Sequence, residues 1–585
     1  MKSIFLLLLC LCGTRALAQA PAIQWQKSLG GSMNDEAWSI KPTSDGGYIV
    51  AGGSESNDSD VSGNHGNWDY WVVKLDDAGA IQWQKSLGGS LGDFAYSIQQ
   101  TSDGGYVVAG ESGSNNGDVS GNHGLNDYWV VKLNETGDIQ WQKSLGGSNN
   151  DFGYSIQQTS DGGYIVSGTT AANNDEVSGN HGGYDYWVVK IDDTGAIQWQ
   201  KSLGGSGNDD AASIQQTTDG EYIVTGASAS NDDEVSGNHG GYDYWAVKLT
   251  DTGAIQWQKS LGGTGNDYGY AVQQTTDGGY IIAGYSGSND SEVSGNHGIY
   301  DYWIVKLNDT GAIQWQKSLG GDTIDNAYSI RQTSDGGYIV AGFSGSNDGD
   351  VSGNHGSYDY WIVKLNDIGT VQWQKSLGGS GMDEAYEIQQ TPDGGYIVAG
   401  YSNSNDGDVS GNHGGYDYWV VKLTCGISAG TISGSASSIC TDSSVTLTDA
   451  SAGGAWSVSN GNATISGGMV TGVSAGMDTA IYTVTNTCGT AITTYPFSVT
   501  LCPTEVKQSP LANPIAIVPN PTTGYISITG INCVNIKVYN TMGQIVKEGN
   551  NTNNICIATF PTGMYFVRVF DGQGALTKEG EIVKE

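Results

Sequence analysis

Seven acidic loops carry the residues of this chain best suited to chemistry. The first reads Asp58-Ser59-Asp60-Val61-Ser62-Gly63-Asn64-His65-Gly66-Asn67-Trp68-Asp69. Oxygen-bearing side chains stand at positions 1, 3 and 5 (Asp58, Asp60, Ser62), a glycine at 6 and an acid at 12 (Asp69). That spacing curls alternate side chains toward one point, and a hard cation such as Ca²⁺ collects about six to eight oxygens. Position 1 recurs as Asn116, Asn174, Asp232, Asp290, Asp348 and Asp406, and position 3 as Asp118, Glu176, Glu234, Glu292, Asp350 and Asp408. Position 5 keeps its serine, as at Ser120, and position 12 is Asp127, Asp185, Asp243, Asp301, Asp359 and Asp417. These residues are the candidate Ca²⁺ ligands. The competing account is turn chemistry, because Asp, Asn and Ser also make Asx-turns and glycine fills positive-φ positions.

The loop is similar to the Ca²⁺ loop of an EF-hand, and to calcium loops of other β-propellers such as those of integrin α chains. It departs from the EF-hand in two ways: its last ligand is Asp rather than the longer Glu, and no helices flank it. One histidine accompanies each loop, from His65 to His413. With no Cys or second His beside it, each histidine is expected to brace its loop by a hydrogen bond rather than to build a zinc site. Aromatic residues just before the D-Y-W phrase (Trp68, Tyr184, Tyr242, Tyr300, Tyr358, Tyr416) are read as packing, with stacking on sugar rings as the alternative. No catalytic or cofactor fingerprint occurs, so no catalytic residue is assigned.

The loops sit in a longer pattern. Trp25, Trp83, Trp141, Trp199, Trp257, Trp315 and Trp373 stand 58 residues apart in the phrase I/V-Q-W-Q-K-S-L-G-G. A second tryptophan keeps the same step in D-Y-W, from Trp71 to Trp419. A period this long marks stacked supersecondary units. Each unit offers four strand signals, in the second copy Ala95–Thr101, Tyr106–Gly110, Tyr128–Leu133 and Ile139–Leu145, separated by Asp/Asn-Gly turns. Four strands in seven periods predict a seven-bladed β-propeller; an open β-solenoid is the alternative. The chain opens on a lone strand at Ile23–Leu29, and its last period lacks that strand. The first strand should therefore complete the last blade and close the ring. The two tight turns of each blade fall on one face and the two long loops on the other, where function is expected. Departures from the repeat (Trp38, Lys41, Pro42, Glu221, Arg331, Pro392) look like drift.

The chain has 585 residues, 90 of them glycine, and a net charge of −37. This excludes nucleic acid as a natural partner, disfavours anionic membranes and makes cations the natural small partners; an acidic surface also keeps an exported protein soluble. Residues 1–18 read as a secretory signal: Lys2, an apolar run from Ile4 to Cys12, and Ala16-Leu17-Ala18 before cleavage. No later segment reads as a membrane helix. The propeller is assigned to residues 19–424. Residues 425–502 read as an immunoglobulin-like β-sandwich, from the order Cys440, Trp456, Cys488. Cys440–Cys488 and Cys425–Cys502 are the preferred pairings, and residues 503–512 a linker.

Residues 513–585 carry three phrases in order: Pro519-Asn520-Pro521-Thr522-Thr523-Gly524, Val538-Tyr539-Asn540-Thr541-Met542-Gly543-Gln544, and Pro561-Thr562-Gly563-Met564-Tyr565-Phe566-Val567. This segment resembles the type A C-terminal sorting domain of the type IX secretion system of Bacteroidota. The resemblance implies a C-terminal β-sandwich that engages the secretion machinery, is normally cleaved, and leaves its cargo anchored to surface lipopolysaccharide or released. Cys533 and Cys556 are unusual for that family and suggest a disulfide. The whole chain is thus expected to be all-β. Its expected role is a non-enzymatic surface or secreted binding protein presenting seven acidic loops to a glycan or protein. A structural or adhesive surface component, and a polysaccharide hydrolase or lyase, are the alternatives.

Overall fold

The computed structural model describes residues 20–425, 429–434, 437–449, 453–486, 489–502, 514–532 and 534–585. The expected signal peptide and linker lie outside these. Every regular element among the described residues is a strand.

The 58-residue period becomes seven four-stranded antiparallel sheets. Blade one runs Asp35–Pro42, Tyr48–Ser54, Asp69–Leu75 and Ile81–Leu87, from the axis outward. The seventh holds Asp383–Gln390, Tyr396–Ser402 and Asp417–Leu423, and takes Ile23–Leu29 as its outer strand. The innermost strands form a closed ring: Asp35–Pro42 touches both Asp93–Gln100 and Asp383–Gln390. The expected seven-bladed propeller, closed by its first strand, is what the chain forms. Closure covers the blade faces that the two ends of an open stack would expose, and each sheet keeps only short edges.

The sequence phrases explain the packing. The two middle strands of each blade are buried on both faces, as in Tyr48–Ser54 and Asp69–Leu75, because each lies between neighbouring blades. The tyrosine of D-Y-W is fully buried and donates to the next blade: Tyr70 Oη to the Trp129 carbonyl at 2.9 Å, and so around the ring to Tyr418 and the Trp71 carbonyl at 2.9 Å. The D-Y-W lysine closes the tight turn, with Lys74 Nζ 2.8 Å from Asp45 Oδ2. The outer-strand tryptophan packs as expected, Trp83 edge-on to Tyr106 at 5.7 Å.

Residues beyond the ring form small sheets. One four-stranded sheet holds Ser438–Cys440, Ala455–Val458, Gly476–Asn486 and Gly489–Thr500, and a three-stranded sheet holds Ser444–Thr446, Ala463–Ser466 and Met469–Gly472. They share a core of Ile439, Leu447, Val470, Tyr482 and Phe497. Cys425, Cys440 and Cys502 are each in a disulfide, while Cys488 and Cys533 lie outside the described residues.

Residues 501–585 are a separate compact unit. It pairs a three-stranded sheet (Ala516–Val518, Tyr525–Thr529, Asn554–Cys556) with a four-stranded one (Asn535–Tyr539, Ile545–Gly549, Gly563–Phe570, Leu576–Lys584). Ile526, Ile536, Val567 and Ile582 fill its core. The expected Cys533–Cys556 bridge is corrected: Cys556 is a free, exposed thiol on the strand paired with Tyr525–Thr529.

Candidate functional site

The twelve-residue loops lie where the sequence places them, between the second and third strands of each blade. Their oxygens, however, go to different partners. Asp58 Oδ1 accepts from the Ser32 amide at 2.8 Å, and Asp60 Oδ2 from the Gly30 amide at 3.4 Å. Ser62 Oγ accepts from Gln84 Nε2 at 2.5 Å, while Asp69 Oδ2 takes the His65 amide and faces its Nδ1 at 2.6 Å. Other copies repeat this: Asn116, Asp232, Asp290, Asp348 and Asp406 cap amides at 2.7 to 3.0 Å, and Asp118 and Glu234 accept from Gly88 and Gly204. Among the described residues no group of three or more His, Cys, Asp or Glu side chains is arranged to hold a metal ion. The histidine braces its own loop and reaches the next blade: His181 Nε2 is 3.4 Å from Glu234 Oε2.

A second arrangement of carboxylates was not read from the sequence. At each blade junction the position-12 aspartate faces the aspartate that opens the next inner strand. Asp417 and Asp35 are both fully buried and converge on Gly30. A β-carbon on Gly30 would stand 2.6 Å from Asp35 Oδ2 and 2.9 Å from Asp417 Oδ1, so this glycine is required for space. Asp35 is hydrogen-bonded by Ser54, Ser56 and the Gly31 amide. Asp417 Oδ1 receives nothing, and the same is true of Asp69, Asp127, Asp185, Asp243, Asp301 and Asp359. Burial pushes the pKa of Asp35 and of Asp69 up to about 6.

The ring encloses a cavity of about 910 Å³ along its axis. Its wall repeats with the blades. The fourth residue of every inner strand is a β-bulge, which turns that side chain into the channel. These residues are Trp38, Tyr96, Tyr154, Ala212, Tyr270, Tyr328 and Tyr386. They form an aromatic belt broken only at Ala212. Below the belt, serines hold the blades together: Ser39 Oγ accepts from the Ile98 amide at 3.3 Å, and Ser329 Oγ from Ile388 at 3.3 Å. Glutamines add a second set of rungs, such as Gln99 Oε1 to the Gln158 amide at 2.8 Å.

The seventh-to-first junction is different, and here the drift reading is corrected. Pro42 has no amide hydrogen, so the glutamine rung cannot form there. Glu387 replaces the serine and accepts from Ser39 Oγ at 2.7 Å, the Ile40 amide at 2.9 Å and Gln389 Nε2 at 2.8 Å. Lys41 Nζ and Arg331 Nη2, the latter at 2.9 Å, pair with Oε1, the oxygen that also accepts from Gln389, while Ser39 and Ile40 donate to Oε2. Burial alone would raise the Glu387 pKa, but the Lys41 and Arg331 charges outweigh it and hold it at about 2. Two of the scattered oddities, Lys41 and Arg331, thus meet Glu387 in one ion cluster at the seam of the ring.

Toward the long-loop face the channel mouth varies from blade to blade. The second residue of the inner strand is Glu36, Phe94, Phe152, Asp210, Tyr268, Asn326 or Glu384. The aromatics before D-Y-W pack on this rim, as Trp68 on Phe94 at 4.9 Å and Tyr242 on Tyr268 at 4.7 Å. Burial raises the carboxyl of Glu36 to about 7, with Glu384 the next contributor, and that of Glu111 to about 7.

The C-terminal unit decides where the chain goes. Residues 516–584 match the Secretion system C-terminal sorting domain. The sorting domain marks the chain as cargo of type IX secretion, bound for the cell surface or the extracellular space. Among curated proteins no match is found. Solved structures give distant likenesses. One is PorZ, an essential surface component of the type IX secretion system of Porphyromonas gingivalis (10% identity, 96% of this chain and 60% of that one, TM-score 0.34). Another is Sqt1 of Chaetomium thermophilum (11%, 68% and 99%, TM-score 0.35), and a third a fungal alcohol oxidase in complex with copper (11%, 97% and 100%, TM-score 0.40). None bears on activity; the ring rests on this chain's own strand pairing. No helix among the described residues is long and apolar enough to cross a membrane.

Proposed function

We propose that this is an exported, non-enzymatic binding protein, held at the cell surface or released, whose ligand enters the central channel from the long-loop face. One observation carries the reading. Between near-copy blades, the second residue of the inner strand changes from blade to blade at the channel mouth, and behind it a cavity of about 910 Å³ lies between aromatic walls. Repeated loops supply the scaffold, and specificity belongs where the repeats part. The glycan or protein expected at the acidic loops is thereby moved to the channel. Anchorage to lipopolysaccharide after loss of the sorting domain, and a spacer role for residues 425–502, belong to the same proposal. A thermal-shift screen of glycans, peptides and small organic molecules tests it. Hits should be lost in Tyr154→Ala and Tyr270→Ala; hits lost instead in Asp58→Ala and Asp60→Ala would return the site to the loops.

A separate observation favours calcium at a different address. The unpartnered, buried Oδ1 recurs in all seven junctions, opposite a second carboxylate. We propose that a divalent cation is held there, by Asp417 with Asp35 and by their six equivalents, rather than by Asp58, Asp60 and Ser62. Calcium titration of the chelator-treated protein tests this second reading.

A further inference from the structure

The aromatic belt has one gap, and the gap has a chemistry. Around most of the channel neighbouring rings touch: Tyr270–Tyr328 at 4.6 Å, Tyr328–Tyr386 at 4.6 Å, Tyr386–Trp38 at 4.2 Å, Trp38–Tyr96 at 5.3 Å and Tyr96–Tyr154 at 5.1 Å. Between Tyr154 and Tyr270 stands Ala212, and the cavity reaches outward through that opening to Thr169, Tyr184, Asn208, Asp210 and Tyr268. Two further small residues deepen it, since Asp210 faces Ala227 across the blade and Thr169 faces Phe152. Aromatic rings wall both sides. Phe152 stacks with Tyr184 at 6.2 Å on one side, and Tyr268 stacks with Tyr270 at 6.4 Å on the other.

Asp210 lines this opening. Its one hydrogen bond among the described residues is from Thr169 Oγ1 at 3.2 Å, and it has no ion pair there. Lys41 and Arg331, the basic residues of the channel wall, are engaged with Glu387. Several aromatic rings and a carboxylate with one side-chain hydrogen bond line one opening. Such a space attracts a positive charge with an apolar body, by charge pairing and by cation–π contact.

We propose that the gap at Ala212 binds an organic ammonium, with its charge on Asp210 and its body between the Phe152/Tyr184 and Tyr268/Tyr270 walls. This rests on the channel being the ligand site, and names the ligand class for it. Burial already raises the Asp210 carboxyl to about 6, so a cation arriving near that pH displaces a proton.

The test is calorimetric titration of the full chain with benzyltrimethylammonium, with benzyl alcohol as an uncharged counterpart and methyl glucoside as a sugar. The ammonium should bind one to one and by about tenfold or more over benzyl alcohol. Asp210→Asn should weaken it by about tenfold, and affinity should fall as pH drops below about 6. Ala212→Tyr, which installs the tyrosine of most other blades, should abolish binding without lowering the melting temperature. Equal binding of benzyl alcohol, no binding of the ammonium, or full affinity in Ala212→Tyr would overturn the assignment. A sugar that binds and is lost in Ala212→Tyr, with no ammonium binding, would sink the cation while leaving the channel as the ligand site.

Discussion

Glu387 of the seventh blade accepts from the Ile40 amide of the first at 2.9 Å, across the seam where the two ends of the propeller meet. The same carboxylate holds Lys41 from the first blade and Arg331 from the sixth, so one acid ties three blades. Its side chain is 8% exposed, which leaves the two cations dependent on it. Glu387→Ala should lower propeller stability on the order of 3 kcal/mol, read as a drop in the first melting transition. Restoring the repeat's own residues, with Glu387→Ser, Lys41→Gln and Arg331→Gln together, should recover most of the loss. A triple variant as weak as Glu387→Ala would mean that the cluster does more than replace the missing Pro42 rung.

The two carboxylates at each junction make a prediction about glycine. A methyl on Gly88 would meet Asp93 Oδ2 at 2.6 Å and Asp69 Oδ1 at 2.9 Å. Gly88→Ala should therefore cost about 1–3 kcal/mol through overpacking. Gly104 offers the contrast. It has open space around it, and only its φ of 86° restricts it. Gly104→Asn, which tolerates that backbone, should be nearly neutral. Thermal melts of the two variants compare space with backbone directly.

The junctions also set a pH dependence. Asp35, Asp69, Asp185, Asp243 and Asp359 are pushed up to about 6 by burial, above the ordinary 3.8. A raised folded pKa means that the folded state binds the extra protons. The stability this confers is full below about pH 4 and is lost as pH rises through about 6. The melting temperature should therefore rise on going from pH 7 to pH 5. Raised His123, His181 and His239, whose aspartate partners outweigh their partial burial, act in the same direction. Calcium should give a similar rise at pH 7 and a smaller one at pH 5, since ion and proton compete for the same oxygens. Asp417→Asn should remove one ion from the total bound. No heat and no shift at millimolar calcium would leave the junctions to protons alone.

The ring was legible because its evidence is periodic. Trp25 and its six echoes give the blade, and the lone Ile23–Leu29 strand gives the closure. Local turn chemistry gave the strand ends to within about two residues. What the sequence hides is contact across the period. Lys41, Arg331 and Glu387 are far apart along the chain, and only closure brings them together. The available signal was that all three fall on inner strands of consecutive blades six, seven and one, at positions where the other blades carry Gln, Ser or, once, Ala. Asp35 and Asp417 were hidden likewise, because the loop spacing suggested that Asp69 closes a loop with Asp58. Backbone amides of the adjacent L-G-G-S loop claim Asp58 and Asp60 first. Ala212 stands where most other copies carry tyrosine, a departure not singled out from the sequence, and its meaning needed the bulge that aims that residue into the channel.

The sorting domain carries the remaining prediction. Residues 501–585 form their own compact unit with their own core, so removing residues 516–584 should leave the propeller folded. Export should fail nonetheless. Cells making the full chain should show propeller epitopes at the surface or in the medium, accessible to added protease. Cells making the truncated chain should retain a protease-protected product within the envelope, with the same propeller melting transition after release. The same experiment separates two roles for residues 516–584. A truncated product that is unfolded would make the segment part of the propeller's stability. A truncated product still at the surface would remove the sorting role, whatever the family match.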